Sequence, residues 1–200
     1  MDFTCVKENL IKRGFAVTEF ETAAAAAEYL DGAIDGKSVA FGGSITLQQM
    51  ALAEKLETHN ELVWHWRVKE GETPAEALRK ARNADIYVTS VNGLAESGEI
   101  INIDGTGNRV AAMLYGHKKV YFVVGSNKLA PDYEAALHRA RNIAAPLNAK
   151  RLSRKTPGTE GGRCFDCNSP ERICRGLAVL WEKMGGSDME VILIDEVLGY

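Results

Sequence analysis

Three clusters in this chain have residue types and spacings that could do chemistry. The first is VAFGGSITL, residues 39–47, where an apolar run gives way to Gly42-Gly43, then Ser44 and Thr46, and then a helical pattern. Paired glycines let successive backbone N–H groups point into a shared space, and a helix start adds positive potential, so the turn suits an anion. The same residues also make a tight, well-capped strand-to-helix turn, and both readings stand. The turn has neither the lysine of a P-loop nor the G-x-G-x-x-G spacing of a dinucleotide site.

The second cluster, VNGLAESGEIINIDGTGNRVAAMLYG at 91–116, holds five glycines, three acidic residues and one arginine. Glu96 stands there in a glycine-flanked loop between two strand-like runs, where a carboxylate serves as nucleophile, general base or plain turn residue. A strand, a glycine turn and a helix start then recur in NIDGTGNRVAA. Asp104, Gly105, Thr106, Gly107, Asn108 and Arg109 form the corner, with Asn92 upstream. The planar fork of Arg109 suits a carboxylate or a phosphate. Glycines at 93, 98, 105 and 107 permit positive φ and close backbone approach. The expectation is that Glu96 and the DGTGNR corner converge on one cleft bordered by Gly43. A glutamate held near a helix N-terminus stays ionised, which favours base or nucleophile work over acid work.

The third cluster is KTPGTEGGRCFDCNSPERIC, in which Cys164, Cys167 and Cys174 form C-x2-C-x6-C. The close first pair has ligand-like spacing for zinc or an iron–sulfur cluster, with reduced structural thiols as the alternative. Cys5 lies far away in sequence, and none of the four histidines has ligand spacing.

To bring such residues together the chain must arrange the elements its periodicities predict. Phe3, Val6, Leu10 and Ile11 recur at helical spacing up to Gly14; FAVTEF alternates as a strand, and TAAAAAEYL opens a helix on Thr22. SVAFGG predicts a strand, and TLQQMALAEKLE one helix with Thr46 and Gln49 spaced as a capping box. ELVWHW reads as a strand with Leu62, Trp64 and Trp66 on one face and His65 on the other. TPAEALRKARNA has Thr73 as N-cap, Pro74 at the first helical position and Glu76 two residues on. DIYVTSV, EIINI and KVYFVVG predict strands, with NRVAAMLYG a short helix before the last of them. APDYEAALHRARNIAA predicts a helix opened by Pro131. SPERICRGLAVLWEKM predicts another, capped by Ser169 with Pro170 behind it, and EVILIDEVLG a buried final strand. The alternation gives an α/β class with a largely parallel sheet, in which ligands collect beyond the carboxyl ends of the strands.

The bulk numbers set limits. A chain of 200 residues with 46% hydrophobic content fits one globular domain, and a net charge of -3 gives no field for nucleic acid. Apolar runs fall short of a membrane span, and MDFTCVKENLIKRGF lacks the apolar centre of a signal peptide, so the expected location is cytoplasmic.

Taken together the motifs resemble the LUD-domain family, the lactate-utilization proteins, over nearly the whole chain. The carrying residues are GGSITL at 42–47, NGLAESGEIINIDGTGNRVAAMLYG at 92–116 and VVGSNKLAPD at 123–132, with NIAAPLNAKRL at 142–152 and RCFDCNSPERICR at 163–175. The resemblance implies the NagB/RpiA/CoA-transferase-like fold and a glycine turn that binds phosphate or carboxylate. Glu96 holds a position similar to the catalytic glutamate of CoA transferases. The resemblance further implies a small anionic metabolite and a part in converting lactate to pyruvate, beside iron–sulfur redox subunits. Close relatives look like TPC ahead of the other three cysteines, whereas this chain has Thr156-Pro157-Gly158. Gly158 thus replaces an implied fourth ligand, and zinc or an iron–sulfur cluster on Cys164, Cys167 and Cys174 is expected to be weak or absent. The expected organisation is one LUD domain over 1–200 with the cysteine loop, about 148–175, as an appendage; a homo-oligomer is compatible with it. Two rival functions stand beside this reading. One is a non-catalytic ligand-binding or partner subunit in which Glu96 only shapes its turn. The other is a CoA-transferase-like or sugar-phosphate-acting enzyme that uses Glu96.

Overall fold

The structure, a computed structural model, describes residues 2–200. Gly14, at φ +85°, ends helix α1 (Thr4–Lys12) and turns the chain into strand β1 (Ala16–Phe20). Thr22 caps α2 (Ala23–Ala33) by accepting from the Ala25 N–H at 3.2 Å, and β2 (Ser38–Phe41) follows. The single helix expected over TLQQMALAEKLE is two, α3 (Ile45–Gln49) and α4 (Leu52–Leu56), because Ala51 is left-handed at φ 49° between them. The cap is Ser44, whose Oγ accepts from the Leu47 N–H at 3.3 Å; Thr46 lies inside α3, fully buried.

Strand β3 (Glu61–Trp64) is shorter than ELVWHW, which leaves His65 and Trp66 in the turn beyond it. Helix α5 (Pro74–Ala81) carries the predicted Thr73–Glu76 capping box. Then come β4 (Ile86–Ser90), β5 (Gly93–Ala95), β6 (Ile100–Asp104), α6 (Asn108–Leu114) and β7 (Lys119–Gly125). A 3-10 turn over Ser126–Lys128 leads into β8 (Leu129–Ala130). Helix α7 (Tyr133–Arg139) is capped by Asp132, not opened by Pro131, and runs through a π-helical turn at Ala140–Ala144 into α8 (Ala145–Arg151).

After the short α9 (Pro157–Gly161), the helix expected from Ser169 does not form. Ser169 Oγ donates to the Lys155 carbonyl and accepts from the Glu171 N–H within a turn, and Gly176–Leu180 is strand β9. The reason is tertiary. β9 pairs antiparallel with β6 over five residue pairs, so the open edge of β6 overrides a local helix-start signal. Strand β10 (Asp188–Ile194) closes the order.

Strands β1-β10-β7-β4-β2-β3 form a six-stranded, all-parallel sheet flanked by helices. The central strands read as near-continuous apolar runs because both faces are covered. One face packs Phe41, Val88, Val123 and Ile192 against Leu30, Leu47, Leu52 and Leu56 of α2, α3 and α4. The other packs Tyr87, Phe122, Val191 and Leu193 with Val6 and Leu10 of α1 and Met113 of α6. A second sheet, β8-β5-β6-β9, lies under α7, where Ala136 and Ala140 meet Ala95 and Ile101. Gly93 makes that approach possible: a Cβ there would stand 2.5 Å from the Ala136 carbonyl oxygen. Among the described residues no helix is long and apolar enough to cross a membrane.

Candidate functional site

All strands of the parallel sheet point one way, so the segments after β2, β3, β4, β7 and β10 gather at one edge. Gly43–Ile45, His65-Trp66, Val91-Asn92, Lys128 and Gly199-Tyr200 all come from those segments and border a single cavity of about 500 Å³. Its other walls are the β6–α6 corner, the helix around Ala144–Leu152 and the segment Pro170–Arg175. The π-helical turn ends at Ala144 on this wall, and such turns often sit at functional sites.

Of the residues singled out by sequence, Gly43, Ser44, Asn92, Asp104, Gly105, Thr106, Asn108 and Arg109 line this cavity. Gly42 and Thr46 lie behind the lining. The α-carbon of Gly42 faces Thr89 and Tyr87, and Thr46 Oγ1 bonds the Leu198 carbonyl at 3.2 Å. Gly107 supplies the turn into α6 at φ +89° and is not part of the lining.

Several lining groups are already spent on structure. Asp104 accepts from the N–H groups of Gly105 (2.7 Å) and Arg109 (2.8 Å), with longer bonds from Thr106 and Val110. Its carboxylate therefore satisfies the open donors of α6. The fork of Arg109 is occupied as well: Nη2 donates to Asn102 Oδ1 (2.6 Å) and the Ser90 carbonyl (3.2 Å), and Nη1 to the Ile103 carbonyl (3.4 Å). Only its buried Nε lacks a partner among the described residues. Arg109 thus braces β4 against β6, and the planar recognition expected of it is directed at two backbone carbonyls and the Asn102 side chain.

Lys128 and His65 are among the lining residues that the sequence did not single out for the site. Lys128, 3% exposed, donates from Nζ to Ser90 Oγ (3.1 Å), Thr46 Oγ1 (3.2 Å) and the Val91 carbonyl (3.2 Å). Burial, reinforced by the cations of Arg139 and Arg109, pulls its pKa from 10.5 down to about 7. Arg139 ties the neighbouring loops together, donating to the carbonyls of Asn127 (2.7 Å) and Asn92 (2.6 Å). His65 borders the cavity with a buried Nδ1 that has no partner among the described residues, and burial lowers its pKa, which favours the neutral imidazole. The signal available for Lys128 was its place directly after a strand and a glycine, in VVGSNK. His65 had a weaker one, the end of an alternating run.

The convergence expected of Glu96 does not occur. Strands β5 and β6 form an antiparallel hairpin whose open end, at Asn92 and Ile103-Asp104, reaches the cavity, while Glu96 stands at its closed end. At ~3.4 Å per residue the β6 strand separates the two ends by roughly 15 Å. The Glu96 N–H donates to the Ala130 carbonyl at 2.8 Å, and its carbonyl accepts from Asn9 Nδ2 of α1 at 2.8 Å. Arg13 fastens the same turn through the Ser97 carbonyl (2.7 Å) and Glu99 Oε1 (2.6 Å).

Cys164, Cys167 and Cys174 share a small surface pocket with Gly158. Cys164 Sγ accepts from the Asp166 N–H at 3.4 Å, and Arg172 holds the loop through the carbonyls of Cys167 (2.8 Å) and Cys174 (2.9 Å). Among the described residues no group of three or more His, Cys, Asp or Glu side chains is arranged to hold a metal ion.

Fold and site together define an α/β protein with a polar cavity at the carboxyl edge of a parallel sheet. The LUD domain profile matches residues 4–194, and the chain belongs to the LUD-domain family. That membership associates it in general terms with lactate utilization. A DUF162 family protein from Deinococcus radiodurans has a similar structure, with a TM-score of 0.54 at 14% identity over 95% of this chain and 94% of that one. The likeness is one of fold. eIF2B beta from Chaetomium thermophilum matches at a TM-score of 0.37 and 14% identity over 56% of this chain and 43% of its own, too partial a likeness to bear on the fold. No curated protein matches.

Proposed function

We propose that the cavity binds a small anionic metabolite of the 2-hydroxy- and 2-oxo-acid class, and that the chain takes part in converting lactate to pyruvate. One observation carries this reading. Five arginines border the cavity, Arg109, Arg151, Arg154, Arg172 (paired with Asp166 at 3.0 Å) and Arg175, with the amine of Lys128 beside them, against two carboxylates, Asp104 and Glu171. Both carboxylates are engaged by backbone N–H groups, Asp104 by those of its own turn and Glu171 by Lys155 N–H at 2.8 Å. The remaining field is positive and focused by low-dielectric walls, which favours an anion. It comes from side chains rather than from the five-residue helix α3, whose first turn Ser44 already caps. Oxidation of lactate releases an electron pair, and partner redox subunits of the iron–sulfur type are the proposed acceptors.

The test is thermal denaturation with lactate, pyruvate, phosphate and sulfate, since a ligand of the native state stabilises it by mass action. Protection that saturates with the carboxylates and is lost in Arg151→Glu/Arg154→Glu is expected. Equal melting temperatures with and without every anion would remove the reading. The placement of Glu96 favours a second one, a non-catalytic ligand-binding partner subunit, over a CoA-transferase-like enzyme, because the glutamate that reading requires is at the far end of the hairpin. Turnover by the purified chain alone, compared with turnover after redox partners are added, separates catalyst from partner subunit.

A further inference from the structure

We propose that Lys128 is a nucleophilic amine that forms an imine with the C2 carbonyl of a 2-oxo acid held in the cavity. The inference rests on the anion-binding reading above and assigns a chemical step to it. Lys128 follows β7 directly, through the 3-10 turn, and is buried at the cavity floor beside Ser90 and Val91, which border the same space.

The surroundings of Nζ do not suit a permanent ammonium. Its hydrogen-bond partners are two hydroxyls and a carbonyl, all neutral, and the charges nearest to it are the guanidinium groups of Arg139 and Arg109. A buried cation among cations is costly unless it is neutralised or sheds its proton. The network accepts a neutral amine without leaving a group unsatisfied. Thr46 Oγ1 passes its own proton to the Leu198 carbonyl at 3.2 Å and accepts from Nζ; the second N–H goes to the Val91 carbonyl. The Ser90 hydroxyl, 3.1 Å away, can then donate to the nitrogen lone pair. With its pKa near 7, much of Lys128 is the free amine at neutral pH, the reactive form of a lysine nucleophile.

Arg109 adds to the positive field of the cavity, and the lining arginines Arg151, Arg154 and Arg175 are the groups that would attract the substrate carboxylate and bring the adjacent carbonyl carbon toward the amine. In the step itself the nitrogen lone pair bonds to C2 and the carbonyl π electrons move to oxygen. Proton transfer gives a carbinolamine, for which the Ser90 hydroxyl is the adjacent relay. The C2–O bond then breaks, water leaves with the oxygen and two hydrogens drawn from the amine, and a carbon–nitrogen double bond remains. No oxidant or reductant is consumed. The imine draws electrons from the bonds at C2, which is the chemical use of such a lysine.

The full chain is incubated at neutral pH with pyruvate, 2-oxobutyrate or 2-oxoglutarate and sodium borohydride, with lactate as the control that has no carbonyl. Intact mass and peptide mapping then locate any adduct, and thermal protection is measured in parallel without borohydride. The expected product carries the mass of the 2-oxo acid less one oxygen, on Lys128, and does not form with lactate. K128R removes the amine nucleophile and should give none; mapping of the unaltered chain makes the result independent of how that variant folds. Thermal protection by these acids with no adduct on Lys128 would overturn the imine and leave the anion site standing. Adducts spread over surface lysines with no enrichment at Lys128 would overturn it equally. Absence of both protection and adduct would remove the two readings together.

Discussion

Replacing Lys128 with Met changes how stability depends on pH, and the size of the change follows from where Lys128 sits. Methionine keeps an unbranched chain of similar length and removes the titrating group. In the native state Arg139 of α7 and Arg109 of α6 are the charged groups acting on Nζ; Thr46 of α3, Ser90 of β4 and the Val91 carbonyl offer only neutral partners. The native amine loses its proton near pH 7, whereas the unfolded chain keeps it to about 10.5. Between these values the unfolded state binds more protons, so stability rises with pH across that window. Below it both states are charged and the native state bears the whole cost of the buried cation. That displacement corresponds in full to about 5 kcal/mol, of which about 2 kcal/mol falls between about pH 7 and pH 9. Urea denaturation of both proteins across this range checks it. The unaltered chain should gain about 2 kcal/mol relative to K128M from about pH 7 to pH 9. A saturating anion should move the rise to higher pH by holding the proton on. Two curves that stay a fixed distance apart would show that Lys128 remains an ammonium throughout, and the reasoning from burial and like charge would fail.

Gly43→Ala places a methyl 2.9 Å from the Trp66 ring, which is itself stacked under Arg151 at 4.5 Å. Anion-dependent thermal protection should fall, at a stability cost of about 1–3 kcal/mol, measured by melting with and without sulfate. Arg109→Met removes the donors to Asn102, Ser90 and Ile103, and urea denaturation should show a loss of about 2–4 kcal/mol; a loss under about 1 kcal/mol would mean that the brace is dispensable. Glu96→Gln, at the closed end of the hairpin, should leave anion protection unchanged and stability within about 0.5 kcal/mol. Lost protection in that variant would bring the hairpin tip back into the site.

Elements announced by complete local chemistry were legible from sequence. Thr73-Pro74 with Glu76 is a self-contained capping box, and α5 starts there. The apolar runs of β7 and β10 read as central strands because each is covered on both faces whatever its neighbours are. Ser169-Pro170 carried a helix-start signal of nearly the same form and misled, since the residues after it answer to the open edge of β6, more than seventy positions earlier in the chain. The division of α3 from α4 was hidden for a different reason. Ala51, a strong helix former, is held left-handed at φ 49° so that Leu52, Ala53 and Leu56 can all turn inward.

The site was legible to the extent that it depends on strand ends. Knowing that a sheet is parallel brings Gly43, Ser44 and Asn92 to one edge, and the glycine turn after β6 joins them there. Glu96 failed because the same alternating pattern is compatible with a hairpin, and a hairpin sends its turn and its open end in opposite directions. Lys128 escaped because burial is a property of several segments at once. Nothing in GSNKLA states that α3, β4 and the end of the chain will close over its amine. The net charge of -3 excludes a field for nucleic acid and is silent on the local sign of the cavity. Many of the chain's carboxylates are committed to pairs elsewhere, such as Glu28–Lys55, Asp85–Lys118 and Glu54 and Glu57 with Arg67. The cations of Arg151, Arg154, Arg172 and Arg175 come from two segments that the fold brings together at the cavity. An acidic average is therefore compatible with a positive pocket, and it is the local sum, not the total, that selects a ligand.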